Sequence, residues 1–189
     1  MSSHHVVREK QEPALLILGM DSFPGELLGQ LLEWSPTVIV TADTAEKMNS
    51  LGIKIDWIIA GDEAAALQSD VKVLPGGFDG YIASALTYLV SSGYPAVNIV
   101  TDEFDLADYE SFAGEINLVV FSRDKKIFPV TSGFSKWKPH GEVIELLSIP
   151  ARLKTTGLEM INEHHYKTTA DGFYSLSFDT PYLFIAEEI

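Results

Sequence analysis

The sequence predicts an α/β protein in which a parallel-sheet block is followed by an all-β block. Three observations lead there. In the first two-thirds, short runs that are apolar throughout alternate with stretches of helical periodicity, the pattern of strands buried on both faces. Near Ser122 the helical periodicity stops, and strand-like runs separated by Gly and Pro take over. The chain has 189 residues, 46% of them hydrophobic, enough for a real core and too many for a disordered chain.

The elements follow in order. Residues 14–18 are a continuous apolar run of strand length. Gly19 to Pro24 punctuate it, and 25–34 reads as a helix with leucines at 27, 28, 31 and 32. Residues 37–41 are the second strand, 44–51 a short helix ended by Gly52, 56–60 the third strand and 71–74 a fourth. Over 80–91, Ile82, Ala85, Leu86 and Leu89 follow the i, i+3, i+4, i+7 spacing of one helix face. Residues 96–100 and 117–121 are further strands, and the acidic stretch between them reads as helical. After Ser122, residues 126–130, 142–149, 173–178 and 182–186 read as strands. In the third of these, Tyr174, Leu176 and Phe178 alternate with Phe173, Ser175 and Ser177, so one face is apolar. The boundary at 122 gives two expected domains, 1–122 and 123–189. The second is small for independent stability and is expected to pack on the first, on a second subunit, or on both.

Charge and composition exclude several functions. There are 13 Lys and Arg against 27 Asp and Glu, a formal charge of −14, which argues against a nucleic-acid surface. With no cysteine, a disulfide framework, a thiolate zinc site and a Cys nucleophile are all excluded. No run approaches the ~18 apolar residues of a membrane helix, and the start lacks the apolar core of a secretory signal. A cytoplasmic protein with no membrane partner is the expectation.

In an open parallel sheet, ligands bind beyond the carboxyl ends of the strands. The residues there are Gly19, Asp21 and Ser22 after the first strand, and Asp43 and Thr44 after the second. Gly61, Asp62 and Glu63 follow the third; Asp102, Glu103, Asp105 and Asp108 follow the strand at 96–100. Clustered carboxylates repel one another, and Mg²⁺, with its preference for oxygen ligands and phosphates, would relieve that repulsion. The pattern suggests a magnesium–nucleotide site. For Asp21 and Asp43 taken alone, capping of the following helix is the plainer reading. His164 and His165 are adjacent, so on a strand they point to opposite faces and make a poor metal pair. Ser135 to Lys138, the one locally basic spot, reads as a solvated loop.

The ordered run from Thr41 to Asp62 resembles the thiamine pyrophosphokinase family. There an Ala-Asp-Gly-Gly-Ala-Asn segment leads into a helix, followed by Gly-Ile-x-Pro-Asp, a buried strand and Gly-Asp-Phe-Asp-Ser. Here Ala42, Asp43, Thr44 and Ala45 open the run. Gly52, Ile53 and Asp56 follow, and Gly61 and Asp62 close it without a gap. Thr155, Thr156, Gly157 and Leu158 resemble the family's Thr-x-Gly-Leu strand start. The resemblance implies a Rossmann-like nucleotide-binding domain, then a small β-sandwich domain, in a homodimer with thiamine at the subunit interface. The implied reaction moves a pyrophosphoryl group from ATP to the thiamine hydroxyl, giving thiamine diphosphate and AMP. Mg²⁺ would stabilise the charge on the transferred group, and a carboxylate would orient the hydroxyl. Under this reading Asp43, Asp62 and Asp79 are the catalytic acids, and Asp62 and Asp79 hold the metal. Gly19, Asp43, Thr44 and Asp102 face the ATP.

The sequence also departs from the family. The second Asp and the Ser of Gly-Asp-Phe-Asp-Ser fall on Ala64 and Ala65, which offer a metal no oxygen. The Asp residues expected before Ala85 and Leu86 fall on Phe78 and Tyr81, with Asp79 nearby but out of register. The Gly-Gly-Arg-x-Asp-His motif is replaced by the acids from Asp102 to Asp108, and the Ser-Asn pair of the thiamine pocket is not found. Two readings stay open. One is a pyrophosphokinase with a remodelled site, acting on thiamine or another alcohol such as a pterin. The other is a protein on the same scaffold that has lost catalysis and acts by binding or regulation.

Overall fold

The computed structural model describes residue 10 and residues 12–60, 71–77 and 80–189. The chain divides into two compact units, Met1–Leu118 and Val119–Ile189. The fold class is mixed α/β, with parallel strands in the first unit and antiparallel strands, in two sheets, in the second.

The first unit runs β1 (Ala14–Ile17), α1 (Gly25–Leu32), β2 (Val38–Thr41), α2 (Ala42–Ser50), β3 (Trp57–Ala60), β4 (Lys72–Pro75), α3 (Gly80–Ser91) and β5 (Ala96–Thr101). The strands lie in the order β5-β1-β2-β3-β4, every pair parallel. Burial on both faces explains why the central strands β1, β2 and β3 are nearly all apolar, whereas β4 at the edge is mostly exposed and opens with Lys72. Leu15, Ile17, Val38, Val40 and Ile58 pack with Leu28 of α1 and Ala45 and Met48 of α2. Leu16, Ile39 and Ile59, one residue on, face the other way and are equally buried. Trp57 shares their side, and its ring meets Tyr88 of α3 at 4.7 Å between centroids, which puts α3 on that face.

Two details differ from expectation. The acidic stretch after β5 forms two 3-10 turns, Leu106–Asp108 and Glu110–Phe112, rather than an α-helix. Asp105 accepts the Ala107 N–H at 3.1 Å, and such local side-chain bonding competes with helix propagation. Buried Tyr109, stacked on Phe104, then anchors the segment. The second difference is the start of α2. Its N-cap is Thr41, whose N–H donates to the Thr44 hydroxyl at 3.1 Å, so Asp43 lies inside the first turn instead of capping it.

Strand β6 (Asn117–Ser122) leads into the second unit. There follow β7 (Lys125–Val130), β8 (Phe134–Lys138), β9 (Val143–Leu146), β10 (Lys154–Thr156), β11 (Leu158–Met160), β12 (His165–Thr168), β13 (Gly172–Ser177) and β14 (Leu183–Glu188). One sheet has the order β11-β12-β9-β14-β7-β6 and the other β10-β13-β8. Ile144, Leu146, Tyr166 and Ile185 of the first sheet and Tyr174 and Leu176 of the second form one buried cluster. The alternation read at 173–178 holds, with Tyr174, Leu176 and Phe178 buried. The basic spot read as a solvated loop is strand β8, which pairs with β13 and sets Trp137 opposite Phe173. Its Lys136 and Lys138 reach the buried Glu187 at 2.5 and 3.3 Å. His164 and His165 take separate partners: the Leu146 carbonyl at 2.8 Å for one, and the Asn162 side chain at 3.0 Å for the other.

Candidate functional site

The parallel pairing of β1 with β5 builds the site. Its register sets Ile17 opposite Val100, and two residues further on Gly19 falls beside Asp102. The Asp102 carboxylate turns into the loop that follows β1. Both of its oxygens lie 3.0 Å from the Asp21 N–H, and Oδ1 also accepts from the Ser22 N–H and hydroxyl at 3.3 Å each. Gly19 permits this approach. A Cβ there would lie 2.5 Å from Asp102 Oδ2, closer than real contacts allow. Successive backbone N–H groups turned to one point form an anion-binding concavity, and here the anion is the protein's own side chain.

Helix α2 is tied to the same loop. The Thr44 hydroxyl, buried at its first turn, lies 3.1 Å from the Ile17 carbonyl at the end of β1. One turn on, the Lys47 ammonium donates to the Met20 carbonyl at 3.1 Å and pairs with the Asp21 carboxylate at 3.2 Å. Gly19, Thr44 and Asp102 are thus gathered around the carboxyl ends of β1, β2 and β5. Asp43, next to Thr44, is exposed in the first turn of α2, where a carboxylate complements the helix dipole. Asp21 does not cap α1, whose N-cap is Pro24.

The other predicted acids stand elsewhere. Asp56 precedes β3 at the opposite end of the sheet. Its carboxylate accepts the Val38 N–H at 3.0 Å and pairs with Lys54 at 2.9 Å, holding Lys54's ammonium in its charged form above the usual range. Asp62 and Asp79 lie outside the described residues, as do Ala64, Ala65 and Phe78. Among the described residues no group of three or more His, Asp and Glu side chains is close enough together to hold a metal ion. Asp102 is already engaged on the loop amides, so the described acids do not fit a magnesium centre as they stand. The sequence reading missed both the Asp102–amide contact and Lys47. The signal for Lys47 was its place one turn after Asp43 on the same helix.

No family model matches the sequence, and no curated protein matches it. Solved structures do match. Thiamine pyrophosphokinase from Bacillus subtilis superposes with a TM-score of 0.67 at 14% identity, over 94% of this chain and 99% of that one. Thiamin pyrophosphokinase from Geobacillus thermodenitrificans gives 0.66 at 13%, over 93% and 97%. The Candida albicans enzyme gives 0.63 at 10%, over 94% and 89%. The chain therefore has the thiamine pyrophosphokinase fold, in agreement with the resemblance read from Thr41 to Asp62.

Proposed function

We propose that this chain is a thiamine pyrophosphokinase-like binding protein that does not carry out pyrophosphoryl transfer from ATP in the state described here. The contact between Asp102 and the Asp21 and Ser22 amides carries this reading. An open parallel sheet offers amides at this place to a ligand's phosphate. With a carboxylate already on them, an ATP phosphate would lose those donors and meet a like charge. The organic part of a ligand has no such conflict, so the scaffold supports binding of thiamine, or a related molecule such as a pterin, without the kinase step.

The remaining assignments belong to the same proposal. The first unit is read as Rossmann-like and the second as a β-sandwich, divided near 122. A homodimer through the second unit is supported by Phe173 and Trp137, cross-strand partners that are 72% and 52% exposed. Large neighbouring exposed aromatics are characteristic of interaction surfaces. Among the described residues no helix is long and apolar enough to cross a membrane.

A second reading keeps the pyrophosphokinase. The gap-free spacing from Ala42 to Asp62 favours it. ATP would lie near Gly19, Asp43, Thr44 and Asp102, with Mg²⁺ on Asp62 and Asp79. It requires Asp102 to leave the loop amides.

Two measurements decide between them. Thiamine is titrated calorimetrically into the protein with Mg²⁺ present, and AMP release from ATP is assayed with thiamine. The binding reading expects heat at one site per subunit and no AMP above background. Thiamine-dependent AMP release overturns it in favour of the kinase, where Asp62→Ala should abolish turnover. Absence of thiamine binding removes thiamine as the ligand.

A further inference from the structure

We propose that the amino end of the first unit's parallel sheet carries a second ligand site, one for a small planar aromatic anion. The site is independent of the carboxyl-end crevice and of the function assigned to it. Strand β2 begins at Val38 beside the proposed site and ends at Thr41 beside the crevice, so the two lie at opposite ends of the same strands.

A cavity of about 850 Å³ opens there, with Trp34, Trp57, Tyr88, Tyr94, Lys54 and Lys72 in its wall. That volume lies within the range typical of small-molecule sites. Four aromatic rings from three stretches of chain converge on it: Trp34 after α1, Trp57 on β3, and Tyr88 and Tyr94 on α3 and the turn that follows. Trp57 and Tyr88 pack against each other at 52°. Trp34 is 69% exposed, an indole face in water that a flat ligand would cover.

The charge is as informative as the rings. The chain has 13 basic residues against 27 acidic ones, yet three lysines stand at this cavity. The Lys72 ammonium lies 5.0 Å from the centre of the Trp57 ring, and the Lys10 ammonium 5.1 Å from that of Tyr94. Cation–π contacts of this kind are weak at exposed sites. Lys10 also donates to the Ser92 carbonyl at 2.5 Å, whereas a ligand phosphate, sulfonate or carboxylate offers Lys72 a stronger, charge-assisted partner. Two acids also line the wall, Glu12 and Asp56. Asp56 and Lys54 satisfy each other, Asp56 also taking the Val38 N–H, which leaves Lys10 and Lys72 against Glu12 and a net positive wall. Ring faces beside lysines that an anion can recruit recognise an aromatic ring carrying a negative group.

Flavin mononucleotide is a suitable probe, because its ring fluoresces and is quenched on stacking against indole or phenol. Titration with the full-length protein should give saturable quenching at one site per chain. Lys72→Glu should weaken binding about tenfold, since it reverses a charge facing the phosphate. Trp34→Ala should weaken it about threefold through lost stacking. Both side chains are exposed, and circular dichroism checks that the fold persists. Riboflavin, the same ring without the phosphate, should bind about fivefold more weakly. The proposal is overturned if quenching does not saturate or if both variants bind like the wild type. It is also overturned if inorganic pyrophosphate at equal concentration displaces the probe, which would assign recognition to the phosphate alone. None of these readouts involves thiamine or ATP, so the proposal can fail while the crevice reading stands, and the reverse.

Discussion

Asp102 in the first unit and Glu187 in the second are both acids held in place by donors, but the donors differ in kind. Glu187 is buried and meets the Lys136 ammonium at 2.5 Å, the Lys138 ammonium at 3.3 Å and the Tyr174 hydroxyl at 3.1 Å. Lys138 also pairs with Glu142 at 3.4 Å, so two ammoniums face two carboxylates and charge is balanced within the cluster; every donor to Glu187 sits on a paired strand. Asp102 is half-buried and meets amides and a hydroxyl of a loop. The difference separates a structural acid from a replaceable one. A cluster that neutralises itself in a core has no use for a solute. Loop amides with a carboxylate on them can exchange that carboxylate for another anion.

The strongest test of the contrast is Glu187→Ala, which deprives the Lys136 ammonium and the Tyr174 hydroxyl of their carboxylate and leaves Lys138 only Glu142. Breaking a buried pair from one side should cost about 3–5 kcal/mol in chemical denaturation. A loss below about 1 kcal/mol, the level of an exposed pair, would erase the distinction. Next is Gly19→Ala, whose new Cβ pushes Asp102 off the amides. A cost of about 1–3 kcal/mol is expected, as for a polar group deprived of its partner, and it should shrink when Asp102 is already Ala. Asp102→Ala alone should cost about 1–2 kcal/mol. It should also let the loop take up inorganic pyrophosphate, seen as calorimetric heat absent from the wild type. No heat would mean that the contact only ties the loop.

Acid gives a finer test. Burial alone would raise the Glu187 pKa, but Lys136, Lys138 and the Tyr174 hydroxyl together bring it below its ordinary value of 4.5. A carboxylate with a lowered folded pKa stabilises fully above its unfolded value and loses that contribution as pH falls through the folded one. Stability should therefore fall as pH drops below about 4.5, and Glu187→Gln should flatten that decline. The smallest expected effect is Lys47→Ala. Its pairing with Asp21, whose side chain is 91% exposed, is worth at most about 0.5 kcal/mol in a thermal melt.

Legibility in the sequence followed burial. The central strands of the first unit were plain because they are buried on both faces, so Ala14 to Ile17 and Val38 to Val40 carry no polar interruption. Strand β8 was hidden because two of its five residues serve a buried acid about fifty positions away. Lys136 and Lys138 look like a solvated loop until Glu187 is set beside them. Strands β10, β11 and β12 showed no apolar stripe, and only the resemblance at Thr155 to Leu158 marked a strand there; only Tyr166 and Thr168 among their residues are buried. At the site, topology placed Gly19, Thr44 and Asp102 at the strand ends in advance. The contact of Asp102 with Asp21 was not legible, because residues 81 apart in sequence meet only through the β1–β5 register. The amino-end cavity escaped for the same reason, its four rings coming from three stretches far apart in sequence.

The closeness of Gly19 to Asp102 also has a bearing on descent. A lineage that replaces the glycine by any other residue must first release the acid, whereas one that loses the acid frees position 19 to drift. Substitutions at the two positions should therefore arrive in a fixed order. A homologue bearing a side chain at 19 together with an acid at 102 would have had to reshape the loop between them.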